Sequence, residues 1–205
     1  MPTKKRLIEK FNHFLNSYYY ENSDLMRELA DKQNPELLVI ACSDSRIDPA
    51  ILFNMQPGEV FSVRNVANIV PAFDAGAENH SIWAAIEYAI FGLNIKSIMV
   101  LGHSNCGGVN YLSNLIREND TGSFYHLPIW VRNAASEQFS MLCHAHTQEQ
   151  DSGLLERENV MHSIRNLQAC PWIKCRLANK SLALNGFRFD IKNGALETVY
   201  SSEER

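Results

Sequence analysis

The chain has 205 residues, 45% hydrophobic and 20% charged, the balance of a globular protein with a real core and a length suited to one domain. Its net charge of −4 argues against nucleic acid as the main partner, because phosphate binding needs a basic surface. No window approaches the ~18 consecutive apolar residues that span a bilayer, so no membrane partner is expected.

The N-terminus opens with Lys4, Lys5 and Arg6, but Glu9, Lys10, Asn12 and His13 interrupt the apolar run that a signal peptide needs. It reads as a surface helix instead. Leu7, Phe11, Phe14 and Leu15 recur at helical spacing, and a second helix is predicted from Ser23, a good N-cap, to about Asp31. Together these make an N-terminal helical arm, residues 1–33, of a single domain covering 1–205.

From residue 37 the pattern changes. Leu37–Ala41 is a short continuous apolar run, the signature of a strand buried on both faces. Glu59–Val63 and Ser97–Leu101 read as two more strands. Between them lies a predicted helix, Ser81–Phe91, with Gly92 suited to a left-handed C′ position. Helices are predicted at Val109–Arg117, Ile129–Cys143 and Gly153–Gln168, with Pro171 stopping the last. A tail hairpin, Leu182–Tyr200, turns at Asn193-Gly194. This order predicts an α/β fold with a central, mostly parallel β-sheet flanked by helices.

Sites in such sheets form at the carboxyl ends of strands. Two polar motifs come directly after strands: Cys42-Ser43-Asp44-Ser45-Arg46 and Gly102-His103-Ser104-Asn105-Cys106-Gly107-Gly108. Cys42, His103 and Cys106 offer two thiolates and an imidazole, a set suited to Zn²⁺ with a fourth position left open, as in catalytic zinc sites. Singly, each has a plainer reading: a cysteine at a strand end is usually a small buried hydrophobe. The other candidates stay plain. His144 and His146 lie in a polar stretch without a second ligand type, and Cys143, Cys170 and Cys175 lack Cys-x-x-Cys spacing. Five cysteines, odd in number and not densely spaced, read as reduced thiols of a cytoplasmic protein.

The Cys-x-Asp-x-Arg and His-x-x-Cys pair resembles the signature of the β-class carbonic anhydrases. The likeness runs on through Gln56-Pro57-Gly58-Glu59, Val63–Asn68, Ala85–Ala89, Glu158-Asn159-Val160 and Leu182–Gly186. The resemblance implies reversible hydration of carbon dioxide to bicarbonate and a proton, by attack of zinc-bound hydroxide, with Asp44 and Arg46 as a dyad beside the metal. Arg46 can hold the Asp44 carboxylate by a bidentate fork, and an ionised carboxylate only accepts hydrogen bonds. The plant-like subgroup implies a substrate pocket of Gln33, Phe61, Val66 and Tyr88, shared between two subunits. Gly107 and Gly108 would let a helix N-terminus approach an anion there. A homodimer is therefore expected, able to pair again into a tetramer or higher form, and the aromatic run Tyr18-Tyr19-Tyr20 with Phe11 and Phe14 suits wrapping a partner. A second subgroup carries a Trp three residues before the first zinc Cys, at a regulatory bicarbonate site; Val39 stands at that position. Two thiolate ligands donate more charge than imidazoles, which predicts an alkaline optimum. The rival readings are a hydrolase of carbonyl sulfide or carbon disulfide, and a non-enzymatic zinc-binding relative.

Overall fold

The computed structural model describes residues 3–76, 81–118, 122–146 and 153–203. The chain divides into two compact units, Met1–Asn34 and Pro35–Arg205. In the first, helix α1 (Lys4–Phe14) is capped by Thr3, whose hydroxyl accepts the Arg6 amide at 3.3 Å. It runs into a π-helical stretch, Leu15–Tyr19, and then to α2 (Ser23–Asp31). Asn22 rather than Ser23 is the N-cap of α2. No residue of α1 is buried, and Leu7, Ile8 and Phe11 are exposed, so the apolar stripe read from the sequence lies open.

The second unit is built on a sheet in the order β2-β1-β3-β4-β5. Its strands are β1 (Leu37–Cys42), β2 (Val60–Asn65), β3 (Ser97–His103), β4 (Ala183–Phe189) and β5 (Leu196–Ser201). The first four run parallel and β5 is antiparallel to β4. Leu38 to Ala41 are all fully buried, as expected of a strand covered on both faces. The tail hairpin is no appendage: its first strand, β4, extends the parallel sheet along β3.

Helices alternate with the strands. They are α3 (Pro49–Leu52), α4 (Ser81–Glu87), α5 (Gly107–Ile116), α6 (Leu127–Val131), α7 (Glu137–Ala145), α8 (Leu154–Ala169) and α9 (Pro171–Ala178). The main core joins Leu38, Ile40, Ile98 and Val100 of the sheet to Ile86, Val160, Ile164 and Ile173 of α4, α8 and α9. A second cluster, around Phe139, Val109 and Leu112, packs beneath Cys42 and Cys106.

Three expectations are corrected. The single helix Ile129–Cys143 is two helices, because the chain leaves helical geometry at Ala135 (ψ 71°) and restarts where the Ser136 hydroxyl accepts the Phe139 amide. Pro171 stops α8 but also starts α9, since a proline at the first turn loses no helical hydrogen bond. Gly92 is not left-handed; Asn94 is, at φ 53°. The helix instead ends in a π turn, Tyr88–Gly92, with the Leu93 amide bonded to the Tyr88 carbonyl. A Cβ at Gly92 would lie 2.8 Å from the half-exposed Tyr88 ring, which would have to shift to make room.

Candidate metal centre

Parallel pairing sets Ala41 opposite Leu101, so Cys42 and His103 leave the sheet at the same carboxyl edge. Asn105 takes a left-handed turn (φ 53°) that brings Cys106 back beside them, and Cys106 then opens α5. The ligand atoms of Cys42, His103 and Cys106 all lie within 4.8 Å of one another, and all three residues are buried. No other such group of three occurs among the described residues, and His144 and His146 are not part of this one.

The donor set fits zinc. Two zinc–sulfur bonds of ~2.3 Å at the tetrahedral angle place their sulfurs ~3.8 Å apart, and the Cys42 and Cys106 Sγ atoms stand 3.8 Å apart. His103 Nδ1 bonds to the Ser104 carbonyl at 3.0 Å, which presents the Nε2 lone pair to the site. Among the described residues nothing hydrogen-bonds that buried Nε2. A buried nitrogen left bare is costly unless something binds it. The thiols are tuned as a pair: the contact with Cys106 draws the Cys42 thiol down to about 4 against the opposing effect of burial, with help from His103 and from the Asp44 and Ala67 amides. Cys106 is pushed up correspondingly.

Asp44 faces this cluster, its Oδ2 3.7 Å from His103 Nε2. Arg46 grips it as a fork, Nε donating to Oδ1 at 2.9 Å and Nη2 to Oδ2 at 2.7 Å, while the Arg46 amide also donates to Oδ1. These bonds hold the Asp44 carboxyl well below the usual carboxylate range. Arg46 is itself tied across the site by Nη2 to the Asn105 carbonyl at 3.0 Å.

Gly108 allows α5 to touch the segment that holds Val66 and Ala67. A Cβ at Gly108 would come 2.7 Å from Val66 and 2.9 Å from Ala67, whereas one at Gly107 meets nothing within 4 Å. Ala67, itself left-handed at φ 67°, donates its amide to the Cys42 sulfur. Gly108→Ala should therefore lower stability by roughly 1–3 kcal/mol, the cost of overpacking, and Gly107→Ala by much less. Thermal denaturation of the two variants checks this, and equal losses would contradict it.

The predicted pocket residues are distributed. Val66 is 38% exposed and adjoins the α5 N-terminus. Phe61 and Tyr88 lie together, ring centroids 5.8 Å apart, with Tyr88 half exposed. Phe61 pairs with Leu38 near the start of β1, four residues before the level of Cys42 and Asn65. At ~3.3 Å per residue that is about 13 Å from the metal end of the same chain. Gln33 belongs to the N-terminal unit, past the end of α2, and is exposed.

Two supporting residues lie in segments that carry the family likeness, but the sequence assigned neither of them a role. Arg64 laces the 42–48 loop, donating to the carbonyls of Cys42, Asp44 and Ile47 and to the Asp48 carboxylate. Asn159, buried on α8, donates to the Ala67 carbonyl at 2.7 Å. Both reach the site through tertiary packing, which no local pattern displays.

A sheet whose carboxyl edge holds a Cys-His-Cys set beside a forked carboxylate has the arrangement that the resemblance to β-carbonic anhydrases implies. The family model described as carbonic anhydrase matches residues 37–196, and the chain belongs to that family. It is 35% identical over 178 residues to β-carbonic anhydrase 5, chloroplastic, of Arabidopsis thaliana, covering 87% of this chain and 58% of that relative's length. The solved β-carbonic anhydrase CcaA superposes with a TM-score of 0.82 at 32% identity, over 95% of this chain and 86% of that one. A structure from the work on two tetrameric β-carbonic anhydrases of Sordaria macrospora gives a TM-score of 0.76 at 31% identity, covering 94% of each chain.

Proposed function

We propose that the protein catalyses CO₂ + H₂O ⇌ HCO₃⁻ + H⁺ at Cys42, His103 and Cys106. The observation that carries this reading is the Asp44–Arg46 fork set against a buried, zinc-spaced Cys-His-Cys group. Zinc held by these three residues supplies a Lewis acid, which in the three-histidine carbonic anhydrases brings the pKa of water from about 15.7 to about 7. Asp44, acceptor-only while ionised, takes a hydrogen bond from the attacking oxygen and so turns its lone pair toward the CO₂ carbon. Arg46 keeps that carboxylate in place and ionised. Because Asp44 stays charged throughout the neutral range, it adds no limb to the pH profile, and activity should rise toward alkaline pH. Val66 and the amides at the start of α5 form the wall against which a small anion can rest. Stopped-flow CO₂ hydration on protein of measured zinc content tests the assignment; zinc-loaded protein that does not hydrate CO₂ would overturn it.

The reading extends to assembly. Phe61 sits about 13 Å along its strand from its own chain's metal end, with Tyr88 beside it, which favours their lining the site of a second copy. We take the working unit to be a homodimer, with Gln33, Phe61 and Tyr88 of one chain completing the site of the other; the Sordaria relative is described as tetrameric. Mixing a Gln33→Ala chain with a Cys106→Ala chain should restore part of the activity, since one site in the mixed dimer keeps both intact halves. A monomer that is fully active by light scattering and assay would rule this out. Since the two ligand thiols bind metal only when reduced, a reducing compartment such as the cytoplasm is the expected location, which cell fractionation would check.

A further inference from the structure

The loop that carries Cys106 is also held from behind by a residue outside both motifs. Glu156 lies in the first turn of α8 and is only 9% exposed. Its Oε1 accepts the backbone amide of Asn105 at 3.1 Å. The carbonyl of that same Asn105 accepts Arg46 Nη2 at 3.0 Å, and Arg46 Nη2 in turn donates to Asp44 Oδ2 at 2.7 Å. A buried carboxylate is thus joined to the dyad through one peptide residue, an asparagine in the left-handed conformation that this residue type adopts more readily than most.

The other Glu156 oxygen faces Arg188, whose Nε is 3.9 Å away. Arg188 is 7% exposed, and its Nε has no hydrogen-bond partner among the described residues. Gly153, left-handed at φ 89°, makes room for it, since a Cβ there would lie 2.6 Å from the guanidinium. Two functions are therefore separable at Glu156: its reach to Asn105 and its charge opposite Arg188.

We infer that Glu156 is a positioning residue for the dyad, fixing Asn105 so that the Asn105 carbonyl holds Arg46 in its fork on Asp44. The inference rests on the proposed CO₂ hydration only for its kinetic consequence. Hydrogen-bonded supports one layer behind a metal centre typically contribute ~10–100-fold to affinity or activity. Reach, rather than charge, is the operative property, because the bond that matters is accepted from a neutral amide.

Two near-isosteric variants separate the properties. Glu156→Gln keeps an acceptor at full length without the charge; Glu156→Asp keeps the charge but leaves the acceptor about 1.5 Å short. On zinc-loaded oligomer, Glu156→Asp should lose about tenfold or more in kcat/KM for CO₂ at unchanged zinc content, and Glu156→Gln should retain most of it. The Arg46 Nε–H resonance, assigned by its loss in Arg46→Lys, should shift in Glu156→Asp and stay in place in Glu156→Gln. The reverse order, two variants alike in rate and resonance, or zinc lost from Glu156→Asp would each overturn the inference. A wild-type protein that hydrates no CO₂ would sink the activity reading alone, and the Arg46 resonance would still decide the relay.

Discussion

Replacing Cys42, His103 or Cys106 by alanine, one at a time, removes both zinc and CO₂ hydration. Each variant leaves two protein ligands where a zinc site needs at least three. Asp44 stands beside the cluster, but its carboxylate is committed to the Arg46 fork and does not replace a lost ligand. Elemental analysis should fall from about one zinc per chain to near zero, a far larger effect than the ~10–100-fold cost of altering a residue behind the ligands. The thiol pair adds a pH dependence with a definite sign. Cys42 is drawn down to about 4 while Cys106 is pushed up, so the metal-free pair holds a proton through neutrality. Zinc must displace it, and apparent affinity therefore rises with pH, about tenfold per unit for one proton released. Competition titration against a chelator at several pH values measures the slope; active protein without zinc would refute the site outright.

Arg46→Ala is expected to abolish hydration while leaving zinc bound. The substitution removes both arms of the fork and spares only the backbone amide bonded to Asp44 Oδ1. The freed carboxylate loses the contacts that keep it far below the usual carboxylate range, the Arg46 side-chain bonds being the largest of them. It also already stands 3.7 Å from His103 Nε2, close enough to swing onto the metal and fill the open position. Zinc analysis near one per chain with hydration lost is the expected pair of results, and the visible spectrum of the cobalt-substituted protein should report the added oxygen ligand. Full activity in this variant at every pH would dispose of the dyad's role.

Much of this was legible in the sequence, for identifiable reasons. The β1 run Leu37–Ala41 announces a strand buried on both faces, and two ligand-bearing motifs directly after strands announce a carboxyl-edge site. What the sequence hid was non-local. The break at Ala135 depends on a cap formed by Ser136, and the π turn at Tyr88–Gly92 depends on how a ring lies over a glycine. Arg64, Asn159 and Glu156 act from a strand and a helix far along the chain, through bonds to backbone atoms that any residue would offer. Val39 is fully buried in β1, a small aliphatic side chain where the other subgroup carries an indole.

The distance between the two ends of the sheet has a further meaning. Strands of fixed length act as a spacer between the metal edge and the Phe61–Tyr88 pair. A single chain therefore carries both halves of the proposed pocket yet cannot bring them together by any side-chain motion. On the proposed homodimer, turnover obeys mass action between chains: rate per chain should decline when the protein is diluted through the dissociation constant of its assembly, and recover on concentration.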